Sequence, residues 1–158
     1  LAGHRPVEEV TVTAADLRGA RDRLSTTTSD DLRTVSLGTP HYSVSEIGRL
    51  VELLGGRRVG DGVAFFVSTG RDVLHEVELR GWAGRLADAG VTMVTDTCTY
   101  FTPIIQDRTG TSMTDSAKWA YYAPGNLGLE VVFGSTEDCV ESAILGRVVR
   151  DEGIWADA

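Results

Sequence analysis

The chain has 158 residues, 23 acidic against 15 basic side chains, and a formal net charge of −8. That length supports one ordinary globular core, the charge excludes a surface built to neutralise nucleic-acid phosphates, and no apolar run approaches the ~20 residues that span a bilayer. Two cysteines, Cys98 and Cys139, are too few for a disulfide framework and read as reduced thiols of a cytoplasmic protein.

In chain order, Leu1 to Val10 lacks the basic-then-apolar pattern of a secretory signal. Leu1 in place of a methionine suggests a piece of a longer polypeptide or a processed chain. Ala14 to Leu24 predicts an exposed amphipathic helix, and the polar "STTTSDD" after it a linker, so that residues 1–30 form an N-terminal helix and linker. Residues 31–150 form an α/β domain and 151–158 a tail. Four short β-rich runs follow, Thr34–Leu37, Val63–Val67, Val91–Val94 and Glu130–Phe133, each brief enough for a strand buried on both faces. "SMT" near residue 113 predicts a fifth. Val44, Ile47, Leu50, Val51 and Leu54 recur at helical spacing, as do Leu74 and Val77 leading through Leu79 into Trp82 and Leu86; these helices close on Gly55-Gly56 and on Gly90. The alternation predicts a mainly parallel sheet covered by helices.

Ligands of open parallel sheets gather at the carboxyl ends of the strands. There the sequence places "GTPHYS", "STGRD", "DTCTYFTP", "DSAKWAYYAPG" and "GSTEDC". Ser43, with Glu46 three residues on, fits a capping box, and it stays a candidate for substrate contact as well. His41 fits a structural histidine or an acid, base or ligand. Cys98 reads either as a small buried hydrophobe or as a thiolate ligand or nucleophile, and no second ligand stands at metal-site spacing. Asp115 or Ser116 would cap a helix. Lys118 would then lie where the helix dipole disfavours a cation, so it either points to solvent or awaits an anion such as a substrate carboxylate. Pro124-Gly125 reads as the break ending that helix. Cys139, inside a helix opened by Ser135 and Asp138, reads as core. A cysteine-nucleophile hydrolase finds no supporting motif.

Taken in order, "LGTPHYSVSEIGRLVELLGGRRV", "FFVSTGRDV", "VTDTCTYFTPI", "TDSAKWAYYAPG" and "VVFGSTEDCVESAILGRVV" resemble the carboxyl-terminal part of the aconitase X dehydratases, over about Leu37 to Val149. The resemblance implies a three-layer α/β/α, aconitase-type domain. It also implies loss of water from a small hydroxy acid, with cis-3-hydroxy-L-proline preferred and phosphomevalonate the alternative. Iron would act as Lewis acid, as an iron–sulfur cluster or a mononuclear centre, with Cys98 as a ligand. Ser116 and Lys118 would hold the substrate carboxylate, and His41 would lie near the metal or the leaving hydroxyl; the base is not assigned. The remaining large region and a small swivelling domain or subunit would be partners, with no nucleic acid and no membrane. Thr39 stands where family members often carry cysteine, which implies an altered iron centre or a non-catalytic binding or regulatory relative.

Overall fold

The computed structural model describes residues 8–155. Val35, Leu37, Phe65, Val67, Met113 and Val131 are all buried to within 1% of full exclusion, because their strands have helices on both sides; hence apolar runs here replace the alternation of a half-exposed strand. The strands are β1 (Leu32–Tyr42), β2 (Ala64–Thr69), β3 (Val91–Thr95), β4 (Thr111–Thr114) and β5 (Glu130–Phe133). They form one sheet in the order β3-β2-β1-β4-β5, every neighbouring pair parallel.

The helices are α1 (Ala14–Leu24), α2 (Val44–Leu54), α3 (Arg71–Leu79), α4 (Trp82–Ala89), α5 (Ala117–Leu127) and α6 (Thr136–Leu145). On one face of the sheet α2, α3, α4 and α6 enclose a core that includes Leu37, Ile47, Leu50, Val67, Leu86 and Val140. On the other, α5 and α1 cover a smaller core around Trp119, Ala123, Leu129 and Val131, with Leu24 against it. The architecture is therefore a three-layer α/β/α sandwich on a parallel sheet. Among the described residues no helix is long and apolar enough to cross a membrane.

Two expected elements differ. The helix expected to run through Leu74, Leu79 and Leu86 is two helices, because Gly81 takes a left-handed conformation at φ 71° and turns the chain. The consequence is that Leu79 is 70% exposed while Leu86 is fully buried. Pro124-Gly125 does not end α5; the helix continues to Leu127 and closes on left-handed Gly128, whose N–H reaches the Pro124 carbonyl. Proline forfeits one hydrogen bond inside a helix, yet continuing keeps Leu127 and Leu129 against the smaller core.

The polar stretch after α1, expected as a linker, runs along β5. Thr26 N–H donates to the Val131 carbonyl at 2.8 Å, and the Thr26 and Ser25 hydroxyls accept from Val131 and Phe133 N–H at 2.8 and 3.1 Å. Arg21, buried in α1, donates to Glu152 Oε2 at 2.8 Å, so the short 3-10 turn Glu152–Trp155 closes back on α1.

From β1 the chain steps outward through β2 to β3, then returns by residues 96–110 to the far side of β1 and continues to β4 and β5. The winding direction reverses between β1 and β4. A crevice forms there, outside the carboxyl ends of both strands.

Candidate functional site

The β1 end is shaped by Gly38, at φ 80°. A Cβ there would lie 2.1 Å from the Ser68 carbonyl oxygen of β2, so glycine is what lets the two strands stay paired as β1 bends. Beyond it the Thr39–Pro40 bond is cis, and His41 and Tyr42 emerge at the strand end. Ser43 then opens α2 with a reciprocal capping box: its own N–H donates to Glu46 Oε2 at 2.8 Å, and its hydroxyl accepts from Glu46 N–H at 3.4 Å. Its hydroxyl also donates to Glu46 Oε2 at 2.6 Å.

Across the crevice, Thr114 ends β4 and Ser116 caps α5, accepting from Trp119 N–H at 3.0 Å. The Ser116 hydroxyl proton goes to the Thr39 carbonyl, tying the two walls together. Thr39, His41, Tyr42, Asp115, Ser116 and Lys118 all line the resulting open cleft of about 410 Å³. Ala117 and Lys118 fall at the first two positions of α5, whose N–H groups have no intrahelical acceptor. No acidic side chain occupies that turn. The dipole, these N–H groups and the Lys118 ammonium favour a negative charge at this turn, while Asp115 and Glu46 add carboxyl groups to the cleft wall.

Asp115 stands behind that site. Its Oδ2 accepts from the Tyr42 phenol and from Thr136 Oγ1 of α6 at 2.8 Å. Burial is the strongest influence on its carboxyl and pushes it above the ordinary carboxylate range, against those two hydrogen bonds, which pull it down. Burial and the neighbouring Asp115 push the Tyr42 phenol up, so it stays protonated as a fixed donor.

The β3 end adjoins the cleft. Asp96, left-handed at φ 58°, accepts from Arg71 N–H at 3.1 Å and from its guanidinium Nε at 2.6 Å; the side-chain bond first, then the backbone bond, holds its carboxyl below the ordinary range. In the turn that follows, Cys98 is half-buried and its carbonyl accepts from Phe101 and Thr102 N–H at 3.1 and 3.0 Å. Thr99 anchors that turn: its hydroxyl, fully buried, meets Ser36 Oγ of β1 at 2.6 Å and accepts from the Trp119 indole at 2.8 Å. His41 Nε2 lies 3.3 Å from the Thr97 carbonyl. The fold thus brings His41, Ser116 and Lys118 to one cleft and sets Cys98 in the adjoining turn. Ser43 is spent on its cap and does not line the cleft.

Sequence reasoning passed over Tyr42 and gave Asp115 only a capping role. Nothing in their spacing pairs them; the parallel register of β1 against β4 does.

As to iron, this edge offers one thiol, one imidazole, carboxyl groups that are already hydrogen-bonded (Asp96, Asp115, Glu46), and the buried Thr39 hydroxyl, which has no hydrogen-bond partner. Iron–sulfur clusters are held chiefly by several cysteine thiolates, and the second thiol, Cys139, is fully buried in α6. Among the described residues no three His, Cys, Asp or Glu side chains gather to hold a metal. These residues do not fit a cluster by themselves; Cys98 fits a single ligand position at most.

An open parallel sheet with a polar cleft at its winding reversal defines the class, a three-layer α/β domain with its candidate site at the carboxyl ends of the strands. A family model described as the aconitase X third domain matches residues 32–145. The chain is 37% identical over 155 residues to cis-3-hydroxy-L-proline dehydratase of Pseudomonas aeruginosa, a match covering 97% of this chain and 27% of that protein. It is 40% identical over 114 residues to the Hypocrea jecorina protein of the same name (71% and 19% covered). It is 34% identical over 126 residues to the phosphomevalonate dehydratase large subunit of Methanothermobacter thermautotrophicus (80% and 31%). Thermococcus kodakaraensis aconitase X, solved in its holo form, shares the fold at a TM-score of 0.74 and 24% identity, over 87% of this chain and 36% of that one. The chain belongs to the aconitase X family, and it spans less than a third of the length of these three curated relatives.

Proposed function

We propose that this chain is the part of an aconitase-type dehydratase that seats the carboxylate of a hydroxy acid while water is lost. Cis-3-hydroxy-L-proline is the preferred substrate and phosphomevalonate the alternative. The observation that carries the reading is Lys118 on the first turn of α5 inside the cleft between β1 and β4. Both acids carry their hydroxyl on the second carbon from the carboxylate, so elimination removes the proton in between. That proton is weakly acidic, and the charge left by its removal spreads onto the carboxylate oxygens. Fixed donors on those oxygens stabilise the transition state more than the ground state. Lys118 and the free N–H groups of Ala117 and Lys118 supply them, with Ser116 fixing the turn that aims them. His41, at the mouth of the cleft, is assigned to the side of the leaving hydroxyl.

Cys98 would give one thiolate to an iron centre whose other ligands lie outside this chain. When bound, that iron would supply Lewis acidity for the departing oxygen. The rest of the large subunit and a small swivelling domain or subunit are the proposed partners. Thr39, whose hydroxyl is left unpartnered at the cleft, favours a second reading as a non-catalytic binding or regulatory module.

The test uses the complete enzyme that contains this chain, purified without oxygen. Turnover of cis-3-hydroxy-L-proline or phosphomevalonate is expected. Lys118→Ala should raise KM or weaken carboxylate binding by roughly 10- to 100-fold, the worth of a charged hydrogen bond. Cys98→Ser should lower bound iron. Hydroxy-acid binding without turnover, and iron content indifferent to Cys98→Ser, would select the second reading.

A further inference from the structure

We infer that Asp115 is the residue that takes the proton from the carbon next to the substrate carboxylate, acting through Oδ1. The inference rests on the dehydratase reading above and names the base that this reading leaves open.

Position comes first. A carboxylate seated on the first turn of α5 brings its neighbouring carbon toward the residues just before that turn. Among Thr114, Asp115 and Ser116, Asp115 alone can accept a proton as a carboxylate. It lines the same cleft as Lys118. Orientation comes second. The two side-chain hydrogen bonds to the carboxylate, from Tyr42 and from Thr136, both arrive at Oδ2, and its own backbone N–H adds a third. They fix the group on the ends of β1 and α6, neither side-chain donor uses Oδ1, and the residue lines the cleft, as a positioned base requires.

The other candidates are placed less well. Glu46 also lines the cleft, but its Oε2 serves the capping box of α2. The Cys139 thiol is fully buried and raised by its burial. His41 is exposed at the mouth. Around Asp115 are thus Tyr42 and His41 from β1, Glu46 from α2, Cys139 from α6, and the Lys118 cation from α5. Burial, with a smaller push from Glu46, keeps the Asp115 carboxyl more basic than an ordinary aspartate, which brings its proton affinity nearer the working pH of a base.

In the step itself, Asp115 Oδ1 binds the proton as the C–H bond breaks. The C–H electron pair becomes the new carbon–carbon double bond, and the hydroxyl leaves with the C–O pair. That hydroxide takes up a solvent proton and Asp115 returns its own to solvent, so one water is released per turnover and nothing is oxidised or reduced.

The experiment uses the complete enzyme and cis-3-hydroxy-L-proline, with phosphomevalonate as the second probe. Failure of the unsubstituted enzyme to dehydrate either acid overturns the dehydratase reading and this inference with it. With turnover established, Asp115→Asn, which can still accept from Tyr42 and Thr136, is expected to lower kcat by 10²- to 10⁴-fold. It should also abolish exchange of the substrate's α-hydrogen with deuterated water while leaving KM within a few-fold. Exchange or kcat retained within tenfold overturns the inference and spares the reading. Tyr42→Phe removes a hydrogen bond to the ionised carboxylate, so the acid limb of the kcat/KM profile should move to higher pH. A limb that does not move overturns the inference even if Asp115→Asn fails to fold.

Discussion

At the scale of single residues, the buried carboxyl of Asp115 carries a stability cost. Its folded-state pKa is raised, so the folded chain holds this proton more tightly than the unfolded chain. The contribution is favourable below the unfolded carboxylate pKa and is lost as pH rises through the folded one. Asp115→Asn should therefore be more stable than the parent at pH 7, with the gap closing in acid; urea midpoints measured across pH check the sign. The two thiols differ for a related reason. Cys139 is fully buried and its thiol is raised by burial, whereas Cys98 is half-buried in a turn. Because thiolate character and access govern alkylation, iodoacetamide on the native chain should label Cys98 and spare Cys139 until denaturant is added, as peptide mass mapping would show. The core reading of Cys139 was legible, since a thiol among Val140 and Ala143 inside a capped helix has one economical explanation. The engagement of the Ser116 hydroxyl by Thr39 was not, because a cap motif says nothing about what lies across a cleft.

At the scale of elements, capping chemistry was the most readable feature. The Ser43–Glu46 and Ser135–Asp138 boxes form as their spacing implies, because such bonds join residues three apart and need no tertiary partner. Breaks inside helices were less readable, as Gly81 and Pro124 illustrate. One glycine turned the chain and one proline did not, and the difference lies in what packs beyond them. Gly38 and Gly56 make a matched pair, both at φ 80°, but a Cβ at Gly38 meets the Ser68 carbonyl at 2.1 Å while at Gly56 it meets nothing within 4 Å. Gly56→Ala should cost about 1–2 kcal/mol, the left-handed strain alone. Gly38→Ala should cost roughly 2–5 kcal/mol, because the β1–β2 approach must open as well. Thermal or urea unfolding of the two variants side by side isolates the close approach from the backbone conformation.

At the scale of the whole molecule, α1 and the stretch after it belong to the sheet's packing. The Ser25 and Thr26 bonds to β5, at ~1 kcal/mol each, and the burial of Leu24 would be lost on deletion through Asp30, as would the Arg21–Glu152 pair. The expected loss is about 4 kcal/mol, or on the order of 10 °C in Tm for a chain of this size; calorimetry of the shortened chain checks it, and an unchanged Tm would return those residues to the status of a linker. What the sequence determined by itself is everything that depends on near neighbours: strand and helix type, caps, the buried run of each strand, and the strand-end motifs that carry the family resemblance. What only the tertiary structure decided is which of those strand ends meet. The reversal of winding between β1 and β4 puts residues 39–42 against 114–118, and so creates both the cleft and the Tyr42–Asp115–Thr136 network. Sheet order is settled by the summed packing of all layers, a quantity that no local stretch of sequence contains.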